Sequence, residues 1–581
     1  MNKHIFRSYV PELLILFLCA VLLLHDIGLK QGYHMDELLS FELANAQFNP
    51  WIVPTQPQGR LAKFVENELA GENFGETFSK LVSTVLDVLQ NRGDSKLLRY
   101  QADVYPEPVW IDSRQFTEYI TVGGKDAFNY LSVYFNVKDD NHPPLHFMLL
   151  HTVSSVFRGK ISPYMGCGIN LVFVLGMMIL LMWIGRKSMI LFGRPQLGRV
   201  AGLWAAGWYG LSAGALSTTL LIRMYAMMSF FCVALFAIHL DKLYAPKLGG
   251  EGFHKKNKLL ILVTVLGFWT QYFFLFYCLI LAAVTVVFLW VGNRRREAGR
   301  YIGAMITAAV IGVAGFPFAI ADVFSSGRGV EALENLSAGL AGYGSRLISF
   351  GGIWADRLGE AVLLILLAAL VIGMACVVFR ASRVAKKKVK LHAGVAGFGC
   401  VLVLPVAGYF LLAARMSPYL VDRYIMPLFP FGILIMVLAI VGLSNKKAAI
   451  GLMAVTLLLQ ICIPTRYQNP YFYRDYSKQL AVSEQYASVP CICIGEGVGY
   501  YENLLEFTNY EETLILTPQE FEEREDVASI ECRERVVVLL KRGLDRDRIT
   551  EIFAKKYGFQ RSMVLQERGG AYGDEILLLE R

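Results

Sequence analysis

The sequence predicts an all-α polytopic membrane protein of about eleven transmembrane helices, with a long first extracytoplasmic loop and a small C-terminal extracytoplasmic α/β domain. Three observations predict it. Of the 581 residues, 55% are hydrophobic, and the mean hydropathy of +0.44 exceeds what a water-soluble core needs, so much of the chain must face lipid. The basic residues fall in short clusters between apolar runs, as in loops retained on the cytoplasmic side. From about residue 466 the chain becomes charged and alternates short apolar segments with helix-like ones, the pattern of a small α/β domain.

The first apolar run, Pro11 to Leu24, follows Lys3 and Arg7 in the manner of a signal peptide, but no small-residue cleavage site follows it, so it reads as a retained first helix. Crossings of roughly 17–25 residues fit near 10–27, 165–185, 200–217, 220–240, 257–272, 273–292, 301–322, 360–380, 391–413, 425–443 and 448–465. The segments holding Arg186, Lys187, Arg194 and Arg199, then Lys242 through Lys258, Arg294 to Arg296, Arg380 to Lys390, and Lys446 with Lys447 would all be cytoplasmic, the N-terminus with them. Parity then puts the C-terminus outside. The boundary inside 257–292 depends on GFWTQYFF making an outer turn. A net charge of +8 distributed in this way answers to membrane lipids and gives no reason to expect a nucleic-acid partner. Ten cysteines lack zinc-ligand spacing, and only Cys491, Cys493 and Cys532 lie in the polar C-terminal part, an odd number that does not define a disulfide.

The chain thus divides into a transmembrane module, 1–465, and an extracytoplasmic domain, 466–581, with the first outer loop at 28–164. That loop closes on DDNHPPLHFMLLH, Asp139 to His151. A full crossing here would turn the basic loops outward, so 143–158 reads as a re-entrant or interfacial helix, with Pro143 and Pro144 at its start, where missing N–H groups cost nothing. Such a start presents a positive dipole end, with His142 beside it, to an anion. In the C-terminal domain, CICIG, TLILT, RVVVLL, MVLQE and EILLLE read as strands and DRITEIFAKKYG as a helix. Gly495, Gly497 and Gly499 in IGEGVGY lack the spacing of a dinucleotide loop, and a strand-to-helix turn accounts for them.

Four polar constellations sit, on this topology, at the outer face. Asp36 and Glu37 follow the first helix; a solvated helix N-terminus accounts for them as well as a site does. Asp139, Asp140 and His142 precede the two prolines; a helix cap explains one acid, not the cluster. Arg223 and Tyr225 are embedded in an apolar run, where an arginine is costly without a role or an anionic partner. Asp422, Arg423, Tyr424 and Pro427 open a late crossing, with an Asp422–Arg423 charge pair as the structural alternative. Together, arginines for a lipid-borne anion and a carboxylate for an acceptor proton suit a single surface site.

An acidic DE pair after the first helix, HPPL closing the first outer loop, R-x-Y at a later helix start and RY-x-x-P near the end resemble the GT-C membrane glycosyltransferases. The resemblance spans about residues 8–465. It is greatest to the protein O-mannosyltransferase-like group (dolichyl-phosphate-mannose transferases, glycosyltransferase family 39) and its bacterial relatives. It implies a GT-C-like fold, a polyprenyl-phosphate sugar donor, and inverting transfer of the sugar to a protein, glycan or lipid hydroxyl on the outer face of the cell membrane. It carries Asp36 over as general base, with Glu37, Asp140 and His142 beside the reaction and Arg223, Tyr225, Arg423 and Tyr424 at the donor phosphate. Relatives often have a histidine after the fifth crossing where this chain has Gln271. No cofactor and no metal site is assigned, although a divalent cation could be held by Asp36, Asp140 and His142, which are oxygen- and nitrogen-rich. A transporter or flippase of lipid-linked sugars would also need membrane arginines near phosphate; it should show repeated halves and a midplane site, and neither is visible here.

Overall fold

Apolar runs become helices where their backbone groups must be satisfied without water. The computed structural model describes residues 9–47, 64–91, 95–96, 108–248, 256–324, 327–337, 339, 341–383, 393–462, 468–497, 499–524, 527, 530–568 and 574–581. Among these, six helices are long and apolar enough to cross a membrane: Val10–Gly28, Pro163–Leu191, Tyr225–Ala245, Phe274–Val291, Arg295–Gly315 and Ala396–Met416. A seventh would be the pair Tyr343–Leu358 and Glu360–Ala375, bent by 95°. Many of their exposed side chains are aliphatic or aromatic, including Phe17, Val172, Leu279, Val287 and Val310, as lipid-facing surfaces require. The protein is a multi-pass membrane protein.

Of the eleven runs expected to cross, six form these helices, the run at 360–380 lies in Glu360–Arg383, the second arm of the bent pair, and the remaining four form shorter helices. The run at 200–217 breaks into Gly198–Leu211 and Ala213–Leu220, because the Ser212 side chain accepts from the Ala215 N–H and starts a new helix. The run at 220–240 begins helix only at Tyr225. The turn expected in GFWTQYFF is present between Asn257–Phe268 and Phe274–Val291. Leu428–Leu443 has 16 residues and Lys446–Cys462 has 17. Parts of the expected 391–413 and 448–465 crossings, and of the basic clusters after Lys242 and Arg380, lie outside the described residues.

Two compact units divide the chain, interleaved in sequence. The first comprises Met1–Lys30, Asn141–His146 and Gly166–Phe472. At its centre Gly198–Leu211 is buried almost throughout. A Cβ on Gly202 would lie 2.5 Å from the Met182 carbonyl oxygen and one on Gly185 2.7 Å from the Gly202 nitrogen, so these glycines let Pro163–Leu191 and Gly198–Leu211 touch backbone to backbone. At the 95° bend the Leu358 carbonyl accepts from Trp208 Nε1 at 3.1 Å and Gln460 Nε2 at 2.6 Å, which satisfies a helix end inside the bundle.

The second unit comprises Gln31–Asp140, Phe147–Met165 and Tyr473–Arg581. Its six strands are β1 (Trp110–Asp112), β2 (Cys491–Ile494), β3 (Glu512–Leu516), β4 (Arg535–Leu540), β5 (Arg561–Glu567) and β6 (Glu575–Glu580), in the order β1-β3-β2-β4-β6-β5. Strands β3, β2 and β4 run parallel, while β1, β6 and β5 pair antiparallel. The five strands expected after residue 466 are β2 to β6, and DRITEIFAKKYG falls in the helix Arg546–Tyr557. Ile492, Leu514, Val536 and Val538 on one sheet face pack with Ile549 and Phe553 of that helix. Cys491 and Cys493 are buried free thiols and Cys532 is an exposed one. β1, from the first loop, adds to the free edge of β3, where unpaired backbone groups invite a strand.

Candidate functional site

In the membrane unit the break before Tyr225 positions Arg223. Asn170 Nδ2 donates to the carbonyls of Thr219 at 3.3 Å and Leu221 at 2.6 Å, and Arg223 N–H donates to Leu221 O at 2.8 Å. A Cβ at Gly166 would sit 2.0 Å from Ile222 Cγ2, so only glycine admits this close approach of the break. Arg223 is only 3% exposed, and its Nη2 lies 3.3 Å and 3.4 Å from the two ring nitrogens of His142. His142 is set there by the start of the helix Leu145–Val156, whose Leu145 N–H donates to Trp269 O at 3.0 Å. At 12 residues this helix is too short to span a bilayer. Tyr225 and Tyr424 meet edge to face at 6.5 Å, and Phe273 lies 5.5 Å from Tyr424. The HPPL start, the R-x-Y segment and the late RY segment are therefore neighbours in one unit, with Gln271 buried in the turn that carries Trp269 and Phe273.

Asp422 takes a different partner from the adjacent arginine. Its Oδ2 accepts from Arg357 Nε at 2.8 Å and its Oδ1 from the Tyr471 hydroxyl at 2.5 Å. Arg423 instead places its guanidinium 5.5 Å from the Tyr424 ring centre. Arg357 was not singled out from the sequence because nothing local marks it. With the Asp422 side chain 4% and the Arg357 side chain 15% exposed, removing one partner leaves the other charge buried. Arg357→Met is expected to cost about 3 kcal/mol or more, read as a lowered thermal unfolding midpoint in detergent. An unchanged midpoint would show that the pair contributes nothing to stability.

In the second unit the helix Met35–Asn45 starts with a capping box: His34 Nδ1 accepts from Asp36 N–H at 3.0 Å and Glu37 Oε2 from His34 N–H at 2.6 Å. Glu37 is fully buried in this role, which contributes on the order of 1 kcal/mol to the helix start. His34 Nδ1 also lies 3.5 Å from Asp36 Oδ2. The Asp36 side chain keeps 18% exposure. Asp140 is half-buried beyond the turn Val137–Asp139.

Two turns along from Asp36, Glu42 is fully buried and was also missed. Its Oε1 accepts from the Tyr501 hydroxyl at 3.3 Å, and Tyr501 stacks on Tyr500. Burial first, and the nearby Asp140 carboxylate second, push the Glu42 carboxyl well above its ordinary 4.5. The folded protein then holds a proton that the unfolded chain releases, so stability falls as pH rises above 4.5 toward the raised folded value. Glu42→Gln, which mimics the protonated form, is expected to flatten that fall. Unfolding midpoints measured from about pH 5 to about pH 8 would test this; parallel curves for wild type and variant would overturn it.

Chemically, the membrane unit offers a buried guanidinium beside an imidazole and two tyrosines, a setting for an anion. The second unit offers a partly exposed carboxylate on a capped helix, a setting for a proton acceptor. Among the described residues no group of three or more His, Cys, Asp or Glu is gathered to hold a metal ion. No protein-family model matches the chain, and no curated protein does. Among solved structures the chain is similar to ArnT from Cupriavidus metallidurans bound to undecaprenyl phosphate, with a TM-score of 0.43 and 10% identity over 75% of this chain and 88% of that one. It is also similar to ArnT from the same organism in the apo state, with a TM-score of 0.34 and 12% identity over 81% and 94%. At these scores the likeness is one of outline and assigns no residue.

Proposed function

We propose that the protein is a membrane glycosyltransferase that moves a sugar from a polyprenyl-phosphate donor to an acceptor hydroxyl, on the outer face of the membrane, in one inverting displacement. The observation that carries this reading is the pairing of Arg223 with His142. It joins HPPL to R-x-Y, the two motifs through which the chain resembles GT-C enzymes of the protein O-mannosyltransferase-like group. The acceptor oxygen bonds to the anomeric carbon, the bond from that carbon to the phosphate oxygen breaks, and polyprenyl phosphate leaves with the electron pair. Asp36 takes the acceptor proton. Arg223 and Arg423 hold the phosphate together with Tyr225 and Tyr424, and fixed cations of this kind act on charge as it develops. Glu37 orients the Asp36 helix, while Asp140 and His142 lie beside the reaction. In the full topological reading, eleven crossings, several of them made by short helices, put the N-terminus inside and residues 466–581 outside.

The experiment is transfer of radiolabelled sugar by the purified full-length protein from a panel of polyprenyl-phosphate sugars to cell-envelope protein, glycan and lipid fractions. Label in any fraction supports the reading and identifies donor and acceptor class. Donor binding and passage across liposomes, with no transfer, would replace it with a transporter.

A further inference from the structure

The end of the membrane unit that carries Arg186, Lys187, Arg194 and Arg199 holds a cavity of about 350 Å³, lined by Tyr9, Arg186, Ile190, Pro195, Gly198 and Arg199. Gly166, against the Arg223 break, and Arg186 are twenty residues apart on the helix Pro163–Leu191, which separates the two places by roughly 30 Å. This cavity is therefore distinct from the His142–Arg223 cluster and lies toward the other end of that helix.

The arginines of this end have different duties. Arg194 closes the helix Leu428–Leu443: it donates to the carbonyls of Val441 at 2.9 Å, Gly442 at 2.6 Å and Ser444 at 2.7 Å. Arg186 and Arg199 instead share one buried carboxylate. Arg199 Nε and Nη2 donate to Glu12 Oε1 at 2.9 Å and Oε2 at 2.7 Å, and Arg186 Nη2 also bonds Oε1. Two guanidiniums against one carboxylate leave this cluster positive at the edge of a low-dielectric region, where a further anion is attracted strongly. Both side chains reach the cavity surface, with 34% and 44% exposure. Ile190 of the lining is exposed, as are Leu13 and Leu14, which follow Glu12 in the chain.

We propose that this cavity binds the phosphate headgroup of an anionic phospholipid, with acyl chains along Leu13, Leu14 and Ile190. The basic clusters of this end place it in the cytoplasmic leaflet. Arg186 and Arg199 hold the phosphate, and Glu12 fixes their geometry while limiting the net charge. The lipid thereby ties Val10–Gly28 to Pro163–Leu191 and Gly198–Leu211.

The test is native mass spectrometry of the delipidated full-length protein titrated with phosphatidylglycerol, phosphatidylcholine or inorganic phosphate. Wild type is expected to retain phosphatidylglycerol about five- to tenfold better than phosphatidylcholine. Glu12→Gln should widen that preference. The neutral combination Glu12→Gln, Arg186→Gln and Arg199→Gln, which leaves no unpaired buried charge, should abolish it. Equal retention of the two lipids by wild type, or a preference that survives the triple substitution, would overturn the proposal. Displacement of bound phosphatidylglycerol by inorganic phosphate at matched concentration would overturn its lipid part and leave a phosphate site.

Discussion

Asp36→Asn is expected to abolish sugar transfer while donor binding is largely kept. The amide has the shape of the carboxylate but cannot accept the acceptor proton, and loss of a general base costs typically 100- to 10,000-fold. The substitution spares the local fold: the helix start is held by His34 and by Glu37, whose carboxylate accepts from the His34 N–H, and Asp36 contributes its backbone N–H to that cap rather than its side chain. An inactive variant with an unchanged unfolding midpoint would therefore report chemistry and not misfolding. Transfer of label by purified Asp36→Asn at the wild-type rate would eliminate Asp36 as the base. It would leave Asp140 as the next carboxylate to replace.

Arg223→Ala is expected to weaken donor binding and to lower transfer by about 100-fold or more, the usual consequence of deleting one donor aimed at developing charge. Both effects should appear together, because a phosphate is anionic in the bound donor and becomes more so as it leaves. Arg223→Lys should recover part of the binding, since an ammonium keeps the charge, but less of the rate, since it lacks the planar fork. The measurements are donor titration and single-turnover transfer on the same preparations. A fall in rate with donor affinity unchanged in Arg223→Ala would move Arg223 from phosphate binding to a role felt only in the transition state. Wild-type values for both would remove it from the reaction.

The contrast between Arg223 and Asp422 illustrates what was legible. An arginine inside an apolar run stands out in any reading of the sequence because lipid makes it expensive, and the structure places it against His142. Asp422 sits next to Arg423, and adjacency suggests a pair. The chain carries it to Arg357, 65 residues away, and to Tyr471, 49 residues away. The acids after the first helix divide in the same way. Glu37 turns back to cap its own helix and Glu42 is fully buried, whereas Asp36 alone keeps measurable exposure. Three carboxylates within seven residues look alike in sequence; their roles depend on what packs over each.

The sequence by itself determined that the chain is a membrane protein, where its long apolar helices run, and which segments after residue 466 are strands and helix. Hydropathy and periodicity are local properties, and a few consecutive residues express them. The tertiary structure decided the rest: a strand from the first loop completing the sheet at β3, a 14-residue helix buried almost throughout where one longer helix was expected, and the Glu12 cluster beside a cavity. Each of these joins groups far apart in the chain. A backbone edge, a buried charge or a close approach of two glycines acquires its energy only from the partner that arrives, and no short stretch of sequence states which partner that will be.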